Sequence, residues 1–100
     1  MNKAKPCMIR IVDSKTGRGI PGVFISMPNS VYYITDSAGN IAFYEPDAMG
    51  QTAFFNVKCP GYKPPEGSFG YKAFTFVPEE GGSYLLKLER ENIAEKLKRN

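Results

Sequence analysis

The chain has few residues able to carry acid–base or nucleophilic chemistry, and the most versatile one is missing. It contains no histidine, so neither a Ser–His nor a Cys–His pair has an imidazole to act as base. The remaining enzymatic option is a pair of carboxylates. Asp36, Glu45 and Asp47 are close in sequence, and a glycosidase needs two carboxyls roughly 5–10 Å apart. Asp36, however, is required by the turn it opens, while Glu45 and Asp47 flank Pro46 as loop acids. The expectation is that the chain is not an enzyme.

Metal and redox chemistry fare no better. Asp36, Ser37 and Asn40 bring oxygens into one turn, but a calcium ion takes 6–8 oxygen ligands, so a plain turn is the preferred reading. The two cysteines, Cys7 and Cys59, fall in strand-like stretches on the side expected to face inward, where a free thiol behaves as a small hydrophobe. A disulfide between them would stabilise by about 4 kcal/mol where geometry allowed; buried free thiols are the preferred reading, and pairing stays open. Without histidine a metal site lacks ligands. No metal and no cofactor are expected.

Binding residues are easier to nominate. Tyr62, Phe69 and Tyr71 lie on or beside a loop rich in glycine and proline. Rings on a stiff loop can stack on a sugar or a partner side chain at little entropic cost; alternatively Tyr62 and Phe69 fold back to plug the end of the domain. A second surface follows from phase. If Ile9, Val23, Phe55 and Leu86 point inward, then Met8, Phe24, Phe54 and Leu85 point outward. Either loops and the tail cover these residues, or they dock against a neighbouring domain or subunit. Phe24, Phe54, Leu85, Ile93 and Leu97 form the candidate docking set.

These residues must be carried by short strands. With 42% apolar residues and 13% aromatics, the chain has ample material for one packed core and no room for two. Alternating runs broken by Gly, Pro, Asn and Asp recur throughout. They predict strands at 7–12, 23–27, 31–35, 41–44, 52–59, 71–77 and 83–89. Asp36-Ser37-Ala38-Gly39-Asn40 is the clearest turn, read as joining 31–35 to 41–44 in a hairpin. Adjacent Tyr32 and Tyr33 must face opposite sides. A longer connection over 45–51 has room for one helical turn at Pro46.

From Asn92 the tail reads as a short helix with an Asn92/Glu95 capping box, Ile93 and Leu97 sharing a face, and Lys96, Lys98 and Arg99 at its carboxyl end. Seven strands predict an all-β, antiparallel or mixed sandwich over 7–90. Residues 1–6 are expected to be disordered, and 91–100 to form a C-terminal helix or linker.

The order of motifs resembles the carboxypeptidase regulatory-like domains, a group of transthyretin-like (prealbumin-like) Greek-key sandwiches. The resemblance rests on Asp13, Thr16, Gly17, Ile20, Pro21, Gly22 and Val23, then Thr35, Asp36, Gly39 and Phe43, then Gly61 and Tyr62. The chain is also similar to the N-terminal module of larger uncharacterised bacterial proteins. The resemblance implies a non-catalytic accessory or docking module, with glycan binding through the loop aromatics as the alternative and an independent hydrolase last. Catalytic relatives of the fold, the hydroxyisourate hydrolases, depend on histidines and a C-terminal Tyr-Arg-Gly-Ser. This chain has neither and ends Leu97-Lys98-Arg99-Asn100.

The implied partner is a neighbouring domain of the same protein or another protein, with a glycan as the alternative. A net charge of +3 with scattered basic residues argues against nucleic acid, and no run reaches the roughly 18 apolar residues of a membrane span. The resemblance implies an extracellular or periplasmic setting. The first residues lack the apolar stretch of a signal peptide, so a cytoplasmic setting stays open.

Overall fold

The computed structural model describes residues 5–27, 32–63 and 73–91. Among these residues seven strands form: β1 (Cys7–Asp13), β2 (Phe24–Ser26), β3 (Tyr32–Ile34), β4 (Asn40–Phe43), β5 (Ala53–Lys58), β6 (Ala73–Phe76) and β7 (Ser83–Leu88). They make two sheets, a three-strand sheet ordered β4-β1-β7 and a four-strand sheet ordered β3-β2-β5-β6. β1 and β7 run parallel, from Met8 opposite Ser83 to Asp13 opposite Leu88; every other pairing is antiparallel. The mixed, all-β, two-sheet arrangement is therefore as the sequence predicts. Among the described residues there is no helix. The expected C-terminal helix, with Ile93 and Leu97, lies outside them.

Two-residue periodicity accounts for the core. In β5 the buried side chains Ala53, Phe55 and Val57 alternate with exposed Phe54, Asn56 and Lys58. In β1, Cys7, Ile9 and Ile11 face in while Met8 and Arg10 face out. In β7, Leu86 and Leu88 are buried and Leu85 and Lys87 are exposed. Aromatic rings then join the sheets. Phe43 of β4 meets Phe55 of β5 edge-on at 5.2 Å, and Phe55 stacks on Phe74 and Phe76 of β6 at 5.3 and 4.9 Å. Tyr84 of β7 covers Phe76 at 4.1 Å. Each buried large side chain contributes about 1.5–3 kcal/mol, and paired rings add roughly 0.5–1.5 kcal/mol.

The adjacent tyrosines divide as expected. Tyr33 lies against Phe43, with ring centroids 5.2 Å apart, and donates its hydroxyl to Glu45 Oε2 at 2.6 Å. Burial, then the Glu45 carboxylate, pushes the Tyr33 phenol up to about 12. Tyr32 faces out. Both cysteines are free thiols, Cys7 buried and Cys59 half-buried. One turn near Pro46 does form, with the Ala48 and Met49 amides donating to Glu45 O.

One expectation fails. The turn over 36–40 forms, with Asp36 Oδ1 accepting from the Ala38 and Asn40 amides at 2.9 Å each. It does not make a hairpin, because β3 pairs with β2 and β4 pairs with β1. The chain instead arches from one sheet to the other. Buried Thr35 is the reason on one side. Its Oγ1 accepts from the Val23 amide at 2.9 Å and donates to Ile20 O at 2.6 Å, while its own amide donates to Val23 O and its carbonyl accepts from Gly22. On the other side Asn40 is opposite Arg10 of β1. Each arm of the turn is claimed by a different sheet.

Candidate functional site

Among the described residues, two places are candidates for a binding site. The first is the outer face of the four-strand sheet. Register puts Phe24 between Ile34 and Lys58, and Ser26 between Tyr32 and Asn56. Phe24, Tyr32, Ile34 and Phe54 are 40, 53, 54 and 59% exposed. The Phe24 and Tyr32 rings meet edge-on at 5.8 Å, and Lys58 Nζ sits 5.6 Å from the Tyr32 ring centre and 3.5 Å from its hydroxyl. The same alternation that buries Ile25, Phe55 and Val57 forces these apolar side chains outward.

The second lies at the end of the sandwich, where β1, β5 and β7 finish. Asp13, the last residue of β1, is buried, and both its carboxylate oxygens are engaged. Oδ1 accepts from the amides of Lys15 at 2.8 Å and Thr16 at 3.1 Å. Oδ2 accepts from the Tyr62 hydroxyl at 2.8 Å and from Arg90 Nε at 3.2 Å. The Tyr62 hydrogen bond foremost, the two amides next and the Arg90 charge last hold this carboxyl at about 2 against an ordinary 3.8, although its burial pushes the other way.

Tyr62 and Arg90 are brought to Asp13 by backbone pairing between the strand extensions. Lys63 N donates to Glu89 O at 2.7 Å and Glu91 N to Gly61 O at 3.0 Å, with Tyr62 opposite Arg90. β5 and β7 belong to different sheets, so this short ladder stitches the sandwich shut. Arg90 also packs over the Tyr62 ring at 5.8 Å.

The loop after β1 forms the opposite wall. Asp13 caps it, Arg18 O accepts from the Asp13 amide at 2.8 Å, and Thr16 Oγ1 accepts from the Arg18 amide at 3.2 Å. A cleft of about 520 Å³ opens between the walls, lined by Asp13, Thr16, Arg18, Gly19, Ile20, Pro21, Tyr62 and Arg90.

The structure distributes the sequence-nominated residues unevenly. Phe24 and Phe54 share the outer face of the four-strand sheet, whereas Leu85 is on β7 of the other sheet, opposite Arg10. Tyr62 is half-buried with its hydroxyl on Asp13. Phe69, Tyr71, Ile93 and Leu97 lie outside the described residues. Sequence reasoning did not find Arg90, nor the link between Asp13 and Tyr62; these contacts span 77 and 49 positions, and no local pattern announces them. Asp36 is engaged by its turn and Glu45 by Tyr33. Among the described residues no group of three or more ligand-type side chains could hold a metal ion, and no helix is long and apolar enough to cross a membrane.

No family model and no curated protein matches the chain. Among solved structures it is similar to the Bacillus anthracis TIE protein, with a TM-score of 0.58 at 20% identity over 89% of this chain. The alignment spans only 18% of that protein's chain. At this identity the likeness shows a shared β-rich fold.

Proposed function

We propose that the chain is a non-catalytic accessory module of a longer protein, a transthyretin-like sandwich of the carboxypeptidase regulatory kind. It docks a neighbouring domain of the same protein on the outer face of its four-strand sheet. The observation that carries the reading is the exposure of Phe24, Tyr32, Ile34 and Phe54 on one side of that sheet. Each keeps 40–59% of its surface exposed, so burying the remainder would gain about half of the roughly 1.5–3 kcal/mol of a full burial, and exposed apolar surface gathered on one face marks interaction sites. The similar fold in a chain more than five times the aligned length fits a module among others. The lack of histidine, with Asp36 and Glu45 tied to structural partners, supports a role without catalysis.

Hydroxyl-radical footprinting tests it on the isolated 100-residue chain and on the longer protein that contains it. Phe24, Tyr32 and Phe54 should be oxidised readily in the first and protected in the second. Ile34→Ser and Phe54→Ser should leave the melting temperature of the isolated chain unchanged. Equal oxidation in both contexts, or a loss of stability comparable to that of a core substitution, overturns the reading.

A further inference from the structure

The cleft at the end of the sandwich carries a second site, distinct from the docking face. We infer that it binds a small organic carboxylate, with the acid group on Arg18 and Arg90 and its apolar body against Ile20, Pro21 and the Tyr62 ring.

The argument begins with which groups are already used. Asp13 spends both oxygens on four donors within the protein, so the one acid of the cleft is unavailable to a cation. Arg90 meets Asp13 and Tyr62 through Nε alone. A guanidinium has five N–H donors in a planar fork. Among the described residues the four on the terminal amino groups have no recorded partner, and the side chain is 72% exposed. Its orientation is nonetheless fixed, by the Nε contacts below and the Tyr62 ring beside it. Arg18 lines the same cleft, on a loop pinned on both sides through its own amide to Thr16 Oγ1 and its carbonyl to the Asp13 amide.

Charge and shape then narrow the ligand. One carboxylate set against two guanidiniums leaves a single positive charge in the lining. Glu89 beyond it is paired with Lys63 at 3.3 Å. A monoanion balances that charge, whereas a phosphate dianion leaves negative charge in excess. A planar two-oxygen group also matches the edge of a guanidinium fork. The apolar part of the lining comes from Pro21 and the Tyr62 ring, with buried Ile20 behind them. A volume of about 520 Å³ accepts an acid with a leucine- or ring-sized body.

The test is a titration of the ¹⁵N-labelled whole chain, followed through its amide resonances. The probes are N-acetyl-leucine, its methyl ester, a tetrapeptide ending in leucine, glucuronate and inorganic phosphate. The two leucine carboxylates should shift Thr16, Arg18, Gly19, Tyr62 and Arg90 saturably, and the ester should not. Tighter binding of the tetrapeptide assigns the site to a chain terminus, and equal binding assigns it to a free acid. Arg18→Gln should weaken binding about tenfold or more without moving the thermal midpoint, because Arg18 contributes only its backbone to the described fold.

Four results overturn the inference: no saturable shift with either leucine acid, equal response to the ester, tighter binding of phosphate or glucuronate, or unchanged affinity in Arg18→Gln. The readout is confined to cleft residues, so it stands or falls separately from the docking face.

Discussion

Gly19→Ala isolates the close approach that holds the loop after β1 against the turn between the sheets. Gly19 does not adopt a left-handed backbone, so alanine brings no conformational penalty of its own there. Its added Cβ, however, would lie 1.8 Å from Ala38 O, 2.4 Å from the carbonyl carbon and 3.1 Å from Gly39 N. A carbon meets a carbonyl oxygen comfortably at about 3.3 Å, so the contact is short by roughly 1.5 Å. The atoms in the way are backbone, and no side chain can swing aside.

Relief requires the 36–40 turn to move off the loop. That strains the hydrogen bonds from Ile11 N to Gly39 O at 2.8 Å and from Ile20 N to Ile11 O at 2.9 Å. Each buried bond left unmade costs about 1–3 kcal/mol, so losing both should cost about 2–6 kcal/mol, a large share of the ~5–15 kcal/mol that holds a typical domain together.

Gly17→Ala is the control. Gly17 has φ +75° with nothing within 4 Å of the added carbon, so only the left-handed backbone is penalised, at about 1–2 kcal/mol. Equilibrium urea unfolding of the wild type and both variants, compared at equal m-value, measures the difference. A loss for Gly19→Ala no greater than that for Gly17→Ala refutes the packing argument.

Other expectations follow from the same contacts. Gly39→Val should destabilise more than Asp36→Ala in thermal melts, because Gly39 combines φ +82° with a Cβ position 2.5 Å from Ile11 O; equal melting temperatures for all three proteins would refute the turn's role. Thr35→Val should cost about 2–4 kcal/mol by leaving the Val23 amide and the Ile20 carbonyl without their side-chain partner, while Thr35→Ser should cost far less in the same urea assay. The Asp13 carboxyl titrates at about 2 in the fold against 3.8 ordinarily, so its stabilisation is fully present above 3.8 and is lost as the pH falls towards 2. Tyr62→Phe removes its largest stabiliser, and Asp13 followed by carbon-detected NMR should then titrate nearer 3.8; an unchanged titration would show that Tyr62 does not hold it.

What the sequence revealed and what it hid differ in range. Strand placement needed only the two-residue alternation of Ile9 and Ile11, of Phe55 and Val57, and of Leu86 and Leu88, each readable within a few positions. The exposed set followed as its complement, which is why Phe24 and Phe54 could be nominated together. Leu85 could not be separated from them, because alternation says which residues leave the core but not through which sheet. The 36–40 turn was legible from Asp36 and Gly39, yet its role was misjudged, since a hairpin and an arch share the same hydrogen bonds across the bend. The information that distinguishes them sits in Thr35, whose hydroxyl reaches back to Ile20 and Val23. A buried threonine at the end of a strand, directly before a turn, is the signal that the preceding arm is already engaged.

The cleft was hidden for a stronger reason. Its parts, Asp13 after one run, Tyr62 after another and Arg90 at the end of the last, each read as an ordinary strand terminus. They converge because β1 and β7 run parallel, which puts their carboxyl ends side by side, and because β5 of the opposite sheet finishes at the same end. The ladder between 61–63 and 89–91 then sets Tyr62 beside Arg90 and both against Asp13. A parallel pair inside an otherwise antiparallel fold needs a crossover and leaves no local trace. Once that pair is granted, the carboxylate at the end of β1 must face whatever follows β7, and the residue there carries the charge that answers it.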